Sequence, residues 1–173
     1  NEMTAVIMGF PTLKGLSRET PSTYVSVLLN QNAALHYIDV AQEFGLAGDV
    51  CPMPEAELGV SIDDDAPILG ACAVQCNTTC DGSLMSNGGI AKRLELEDGI
   101  PIFQLAAPLR HREDDVQDYA AQEIRNCIAF IEEKTGEKWD WKYYFECAKR
   151  VNESTRHRME WLDMNKTDYP QIF

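Results

Sequence analysis

The amino-acid sequence predicts an α/β fold: a parallel sheet flanked by helices, with a long helical extension at the C-terminal end. Three observations carry the prediction. Ala5–Met8, Ile68–Gln75 and Ile100–Ala106 are apolar runs of strand length. Stretches with apolar residues at helical spacing separate and follow them. The composition is that of a packed globule, with 45% hydrophobic, 25% charged and 9% aromatic residues in 173, which excludes a disordered, collagenous or low-complexity chain.

Ala5–Met8 is closed by Gly9 and Pro11 and reads as a strand, and the chain from Leu13 to Thr20 reads as loop. Pro21-Ser22-Thr23 opens a helix with Ser22 as N-cap. Val25, Leu28, Leu29, Leu35, Ile38 and Ala41 recur along it, and Gly45 is a natural stop. Ala47 to Asp65 holds two prolines and three consecutive aspartates and reads mostly as loop. Ile68–Gln75 is a buried strand that ends at Cys76-Asn77-Thr78-Thr79-Cys80-Asp81-Gly82. Ser83 to Leu94 is helical, interrupted by Asn87-Gly88-Gly89. Ile100–Ala106 is the next strand, with Pro101 tolerable at its beginning.

A strong amphipathic helix follows from Glu113 to Lys134. Its apolar face is Val116, Tyr119, Ala120, Ile124, Cys127, Ile128 and Ile131, and Thr135-Gly136 ends it. Asp140 caps a last long helix through Tyr144, Ala148, Val151 and Met159 to about Leu162. Alternating strands and helices predict a parallel sheet, half of a Rossmann- or flavodoxin-like architecture. The expected division is an α/β domain over residues 1–136 and a helical extension over 137–173 leading to a further domain. Ligands of such sheets gather at the carboxyl ends of the strands, where the Cys76–Gly82 loop lies.

The charge balance is 28 acidic against 15 basic residues, a net charge of −13. Nucleic-acid binding is thereby disfavoured, because phosphate neutralisation needs clustered Lys and Arg. No apolar run approaches the roughly 20 residues of a membrane span, and no signal-peptide pattern opens the chain. A cytoplasmic protein is expected. Because the chain begins at Asn1 and stops at Phe173, a piece of a longer polypeptide is expected too.

Six cysteines are present: Cys51, Cys72, Cys76, Cys80, Cys127 and Cys147. An even count allows disulfides, but clustered Cys without a mark of secretion points to metal or redox chemistry. Cys127 and Cys147 sit within helical patterns and read as small buried hydrophobes. Cys72-x3-Cys76-x3-Cys80 lacks the paired knuckles of a zinc ribbon. It leaves open an iron–sulfur role, a zinc site or plain reduced thiols. A thiolate on a strand-to-helix turn suits iron, since helix N-terminal amides lower its pKa and donate to sulfur.

Cys51 stands four residues before Glu55, a candidate base or an ordinary loop glutamate. Asp63-Asp64-Asp65 lacks EF-hand spacing. Arg110-His111-Arg112, directly before a helix, is a candidate anion site or a salt-bridged loop. No Walker A, G-x-G-x-x-G, G-x-S-x-G or H-E-x-x-H sequence occurs.

Asn77-Thr-Thr-Cys80-Asp-Gly-Ser-Leu-Met-Ser-Asn87-Gly resembles the 2-hydroxyacyl-CoA dehydratase family, relatives of benzoyl-CoA reductase. The resemblance continues through Pro101–Pro108, Phe130–Gly136 and Trp139-Asp140-Trp141, and covers Cys51-x-x-x-Glu55-Ala-Glu57-Leu-Gly59 upstream. It implies a lyase of anaerobic amino-acid fermentation, a heterodimer of two related subunits longer than this chain. It implies [4Fe–4S] clusters on three Cys ligands and leaves room for a flavin in the complex. It further implies an ATP-dependent iron–sulfur activator protein that injects one electron into the thioester carbonyl. The resulting ketyl expels the neighbouring hydroxyl and acidifies the β-hydrogen, a proton otherwise too weakly acidic for a side-chain base.

Carried onto this sequence, Cys80 is the first cluster ligand, Cys51 the second, and Cys76 the alternative. Glu55 is the residue for the β-proton or the substrate hydroxyl, and Arg110 and Arg112 are candidates for the CoA ester. No further site-like Cys follows Cys80, so the third ligand is expected downstream. The competing readings are a non-catalytic assembly subunit of the same fold and a zinc-binding α/β domain using Cys72, Cys76 and Cys80.

Overall fold

A computed structural model gives the fold and describes residues 2–17, 31–63, 70–76, 80–108 and 112–166. The order is α1 (Glu2–Ile7), α2 (Gln31–Phe44), α3 (Pro52–Ile62), β1 (Ala73–Cys76), α4 (Asp81–Lys92) continued by a π-helical turn (Arg93–Glu97), β2 (Ile102–Leu105), α5 (Asp114–Thr135) and α6 (Trp141–Met164). Two compact units divide it: residues 15–136, and residues 1–14 with 137–173.

In the first unit β1 and β2 pair in parallel, Ala73 beside Ile102, Val74 beside Phe103, Gln75 beside Gln104 and Cys76 beside Leu105. Alternation sends these pairs to opposite faces. Ala73 and Ile102 pack against a core of Ala41, Leu46, Leu58, Ile90, Leu94 and Ile100, drawn from α2, α3, α4, the π turn and the connections after α2 and before β2. Phe103, on the other face, meets Phe130 of α5 at 5.5 Å between ring centroids. Helices thus cover both faces of a small parallel sheet, an α/β arrangement. Among the described residues the sheet has these two strands, and helix dominates.

Several expected elements differ. The run Ala5–Met8 belongs to helix α1 and the turn after it; a short apolar run has no period long enough to separate strand from helix. The stretch read as loop between Ala47 and Asp65 contains α3. Its prolines Pro52 and Pro54 fall in the first helical turn, where a missing N–H costs nothing. Asn87-Gly88-Gly89 does not interrupt α4. A Cβ on Gly89 would lie 2.7 Å from Leu58 Cδ1 and 3.1 Å from Phe44 Cε1, so the missing side chain is what lets α4 come close to its neighbours. Packing there outweighs glycine's poor helix propensity. The strands are shorter than expected, and Pro101 lies just before β2. The helix start at Pro21-Ser22, the aspartates 64 and 65, and Ile68 lie outside the described residues.

Helices α5 and α6 follow their patterns. Gly136 ends α5 with φ 76°, a left-handed stop that suits glycine. In the second unit Asp140 Oδ1 caps α6, accepting from the N–H groups of Lys142 (2.8 Å) and Tyr143 (3.1 Å). The Asp140 N–H donates to Gly9 O at 2.8 Å. Trp139 packs against Gly9 and edge-on against Phe10, centroids 5.4 Å apart. α6 itself buries no residue and exposes Trp141, Phe145, Val151, Met159, Leu162 and Met164. None of the described helices is long and apolar enough to cross a membrane.

Candidate functional site: two helix N-termini and a strand edge

Cys51 and Cys80 occupy equivalent places. Cys51 is the residue before α3 and Cys80 the residue before α4, each with extended backbone and an exposed side chain. The two first turns meet. A Cβ on Gly82 would stand 2.9 Å from Val50 Cγ1, 3.1 Å from Pro54 Cγ and 3.5 Å from Cys80 Sγ. Any larger residue at 82 would therefore push apart the ends that carry the two thiols. The Ser83 amide, the Ser83 hydroxyl and the Gly82 amide, in that order, hold the Cys80 thiol below its ordinary pKa. Donors at a helix N-terminus favour the thiolate, the form that attacks and ligates.

Glu55 lies in the first turn of α3, one turn beyond Cys51, and is 3% exposed. Gln42 Nε2 of α2 donates to its Oε1 at 3.4 Å. This carboxylate, nearly closed to solvent, receives that long bond and keeps acceptor positions for a ligand hydroxyl.

Cys76 is elsewhere. It ends β1, half-buried, on the face that carries Val74, Phe103 and α5. Cys72, four residues earlier on that face, is raised in pKa by burial. Cys127 on α5 is fully buried, and its thiol is pushed up to about 11 by burial first, then by the nearby Cys72, Glu123 and Cys76. Cys72, Cys76 and Cys127 thus gather under α5, a grouping that sequence spacing did not reveal. Cys147 is half-buried on α6 and bonds to Tyr143, raising that phenol's pKa.

Arg112 is exposed just before α5, whose first turn holds Asp114 and Asp115. Arg110 and His111, like Asn77-Thr78-Thr79, lie outside the described residues. Ser83 was not singled out from sequence. Its signal is position: it is the third helical residue after an N-cap, where a hydroxyl and amide reach back.

Two exposed thiols on adjoining helix ends, one with its pKa lowered by nearby donors, fit two of the protein ligands of an iron–sulfur cluster in type. Among the described residues no group of three or more His, Cys, Asp or Glu side chains is placed to hold a metal ion. The donor set thus fits in type, with the two thiols at the starts of helices whose first turns meet.

Comparison with known proteins follows the same lines. The profile of the family described as "2-hydroxyglutaryl-CoA dehydratase, D-component" matches residues 9–173. The (R)-phenyllactyl-CoA dehydratase alpha subunit of Clostridium sporogenes is 25% identical over 158 residues, covering 87% of this chain. The chain spans 37% of the length of that curated relative.

Proposed function

The chain belongs to the 2-hydroxyglutaryl-CoA dehydratase D-component family, and from that premise we propose that it is a subunit, or the N-terminal part of one, of a radical (R)-2-hydroxyacyl-CoA dehydratase. The complete enzyme removes water from the acyl thioester and releases the 2-enoyl-CoA. One observation supports this reading above the others: Cys51 and Cys80, far apart in sequence, are the leading residues of two helices whose first turns touch at Gly82.

In this reading Cys80 and Cys51 hold a [4Fe–4S] cluster, which supplies one-electron chemistry when bound. The Ser83 and Gly82 donors keep Cys80 ready to bind it as thiolate. Glu55, one turn from Cys51 and shielded from water, takes the β-proton or holds the substrate hydroxyl. Arg110 and Arg112 meet the negative charge of the CoA ester, an exception on an acidic chain. A related subunit completes the assembly, as the subunit name of the phenyllactyl-CoA relative suggests, and an ATP-dependent activator supplies the electron.

The test is anaerobic reconstitution with iron and sulfide. Wild-type protein is expected to turn brown and retain iron. Cys80→Ala and Cys51→Ala are expected to lose most of it, and Cys127→Ala to keep it. Full retention in Cys80→Ala overturns the ligand assignment. Stoichiometric zinc without iron selects the zinc reading, and colourless protein with every thiol titratable selects a non-catalytic subunit. In the assembled enzyme, Glu55→Gln is expected to lower kcat by about 10²–10⁴-fold with iron unchanged, the scale of a general acid or base.

A further inference from the structure

The sheet has a second polar feature. On the face where Ala73 and Ile102 pack into the core, the next pair toward the strands' C-terminal ends is Gln75 beside Gln104. Two glutamines therefore stand where the core pattern calls for apolar side chains. α4 does not close over them. A cleft of about 170 Å³ remains there, lined by Gln75, Cys76, Leu84, Asn87, Gln104, Leu105 and Ala106.

Its chemistry is specific. Three of the lining residues carry carboxamides, and none carries a charge. Asn87 Nδ2 donates to Cys76 O at 3.1 Å, which ties that carboxamide to the strand end. Gln75 Oε1 is shielded from solvent and has no hydrogen-bond partner among the described residues. Leaving such an acceptor unpaired is unfavourable. A donor that enters the cleft can recover that loss once the carboxamide turns about its terminal torsion, which is soft.

Size limits the occupant. Water takes about 30 Å³ in the liquid, so the cleft admits one functional group with a few neighbouring atoms. Whole ligand sites are larger, about 300–1,000 Å³. The position is also limiting: the cleft lies at the carboxyl ends of parallel strands, beside the helix that Cys80 begins.

We propose that this cleft is a subsite for a neutral hydrogen-bond donor of the ligand, an amide N–H or a hydroxyl, read by the Gln75, Gln104 and Asn87 carboxamides. The two sources of such a donor rest on the acyl-thioester reading above: the amide-bearing pantetheine arm, or the hydroxyl beside the acyl carbonyl.

The test uses the full chain in solution and follows the side-chain amide signals of Gln75, Asn87 and Gln104 by ¹H–¹⁵N NMR. S-methylpantetheine carries the amides without a free thiol, and methyl (R)-lactate carries the hydroxyl without an N–H. Saturable shifts of these signals by the first probe select the pantetheine arm, and by the second the acyl hydroxyl. Gln75→Met, which keeps the length and removes the carboxamide, is expected to weaken that binding at least tenfold. Gln75→Glu, which keeps an acceptor, is expected to retain it. The absence of saturable shifts with both probes overturns the proposal, as does equal binding by Gln75→Met. Iron is measured on the same wild-type samples: no cleft binding where iron is held overturns the subsite alone, and no iron where the cleft binds overturns the cluster reading alone.

Discussion

At the residue scale, the six cysteines are sorted by what surrounds each sulfur. Cys80 receives amides and a hydroxyl, whereas Cys127 is first of all buried and then faces Cys72, Glu123 and Cys76. The first environment favours the thiolate and the second the thiol. Alkylation at pH 7 is therefore expected to modify Cys80 readily and to spare Cys127 until the protein unfolds. Ser83→Ala removes a hydroxyl donor while keeping the amide, so the midpoint of the alkylation rate against pH for Cys80 is expected to move upward. An unchanged midpoint would show that the hydroxyl contributes nothing. The Cys-Asp-Gly element singled out Cys80 in the sequence, and the place of Cys51 four residues before Glu55 singled out Cys51; that both stand directly before a helix is what the structure adds. The thiol group under α5 was not, because Cys127 meets Cys72 and Cys76 only through the pairing of β1 with β2 and the packing of α5 on that face.

At the element scale, the long periodic helices were legible almost to their ends. α5 and α6 carry a cap, an apolar stripe or both within one continuous stretch. The elements misread were α1 and α3, whose form depends on details a pattern does not carry: six residues in the one case, two prolines confined to a first turn in the other. Glycine positions show the same division. A Cβ on Gly59 of α3 would lie 1.9 Å from the Tyr37 carbonyl oxygen of α2, whereas one on Gly88 of α4 would meet nothing within 4 Å. Gly59→Ala forces two helix backbones apart and is expected to cost about 1–3 kcal/mol net of the helix propensity gained. Gly88→Ala collects that propensity unopposed and is expected to add about 0.5–1 kcal/mol. Thermal melts of the two variants should shift in opposite directions; a shared direction would contradict the packing of α2 on α3.

At the scale of the whole molecule, charge and extent dominate. A net charge of −13 on 173 residues makes the folded chain repel itself. Raising sodium chloride from about 0.05 to 0.5 M shortens the screening length several-fold and is expected to raise the melting temperature by about 2–5 °C. A melting temperature that falls with salt would mean that local ion pairs such as Arg156–Glu160 (2.6 Å) outweigh the global repulsion. The acidic balance was fully legible, as was the α/β class. The grouping of residues 1–14 with 137–173 was not, since it depends on Gly9, Phe10 and Trp139 meeting across the length of the chain.

The meeting of the two helix ends at Gly82 has a consequence for chelation. Cys51 and Cys80 are separated by 29 positions, and bringing the ends of so long a flexible loop together costs about 3 kcal/mol of entropy. The packing of α3 on α4 meets that cost before any metal arrives. In the proposed reading, an ion bound by either thiol therefore meets two helix ends already packed on each other in the folded chain, and two independent thiols in the unfolded one. Folding would then come first, and metal capture would follow from it.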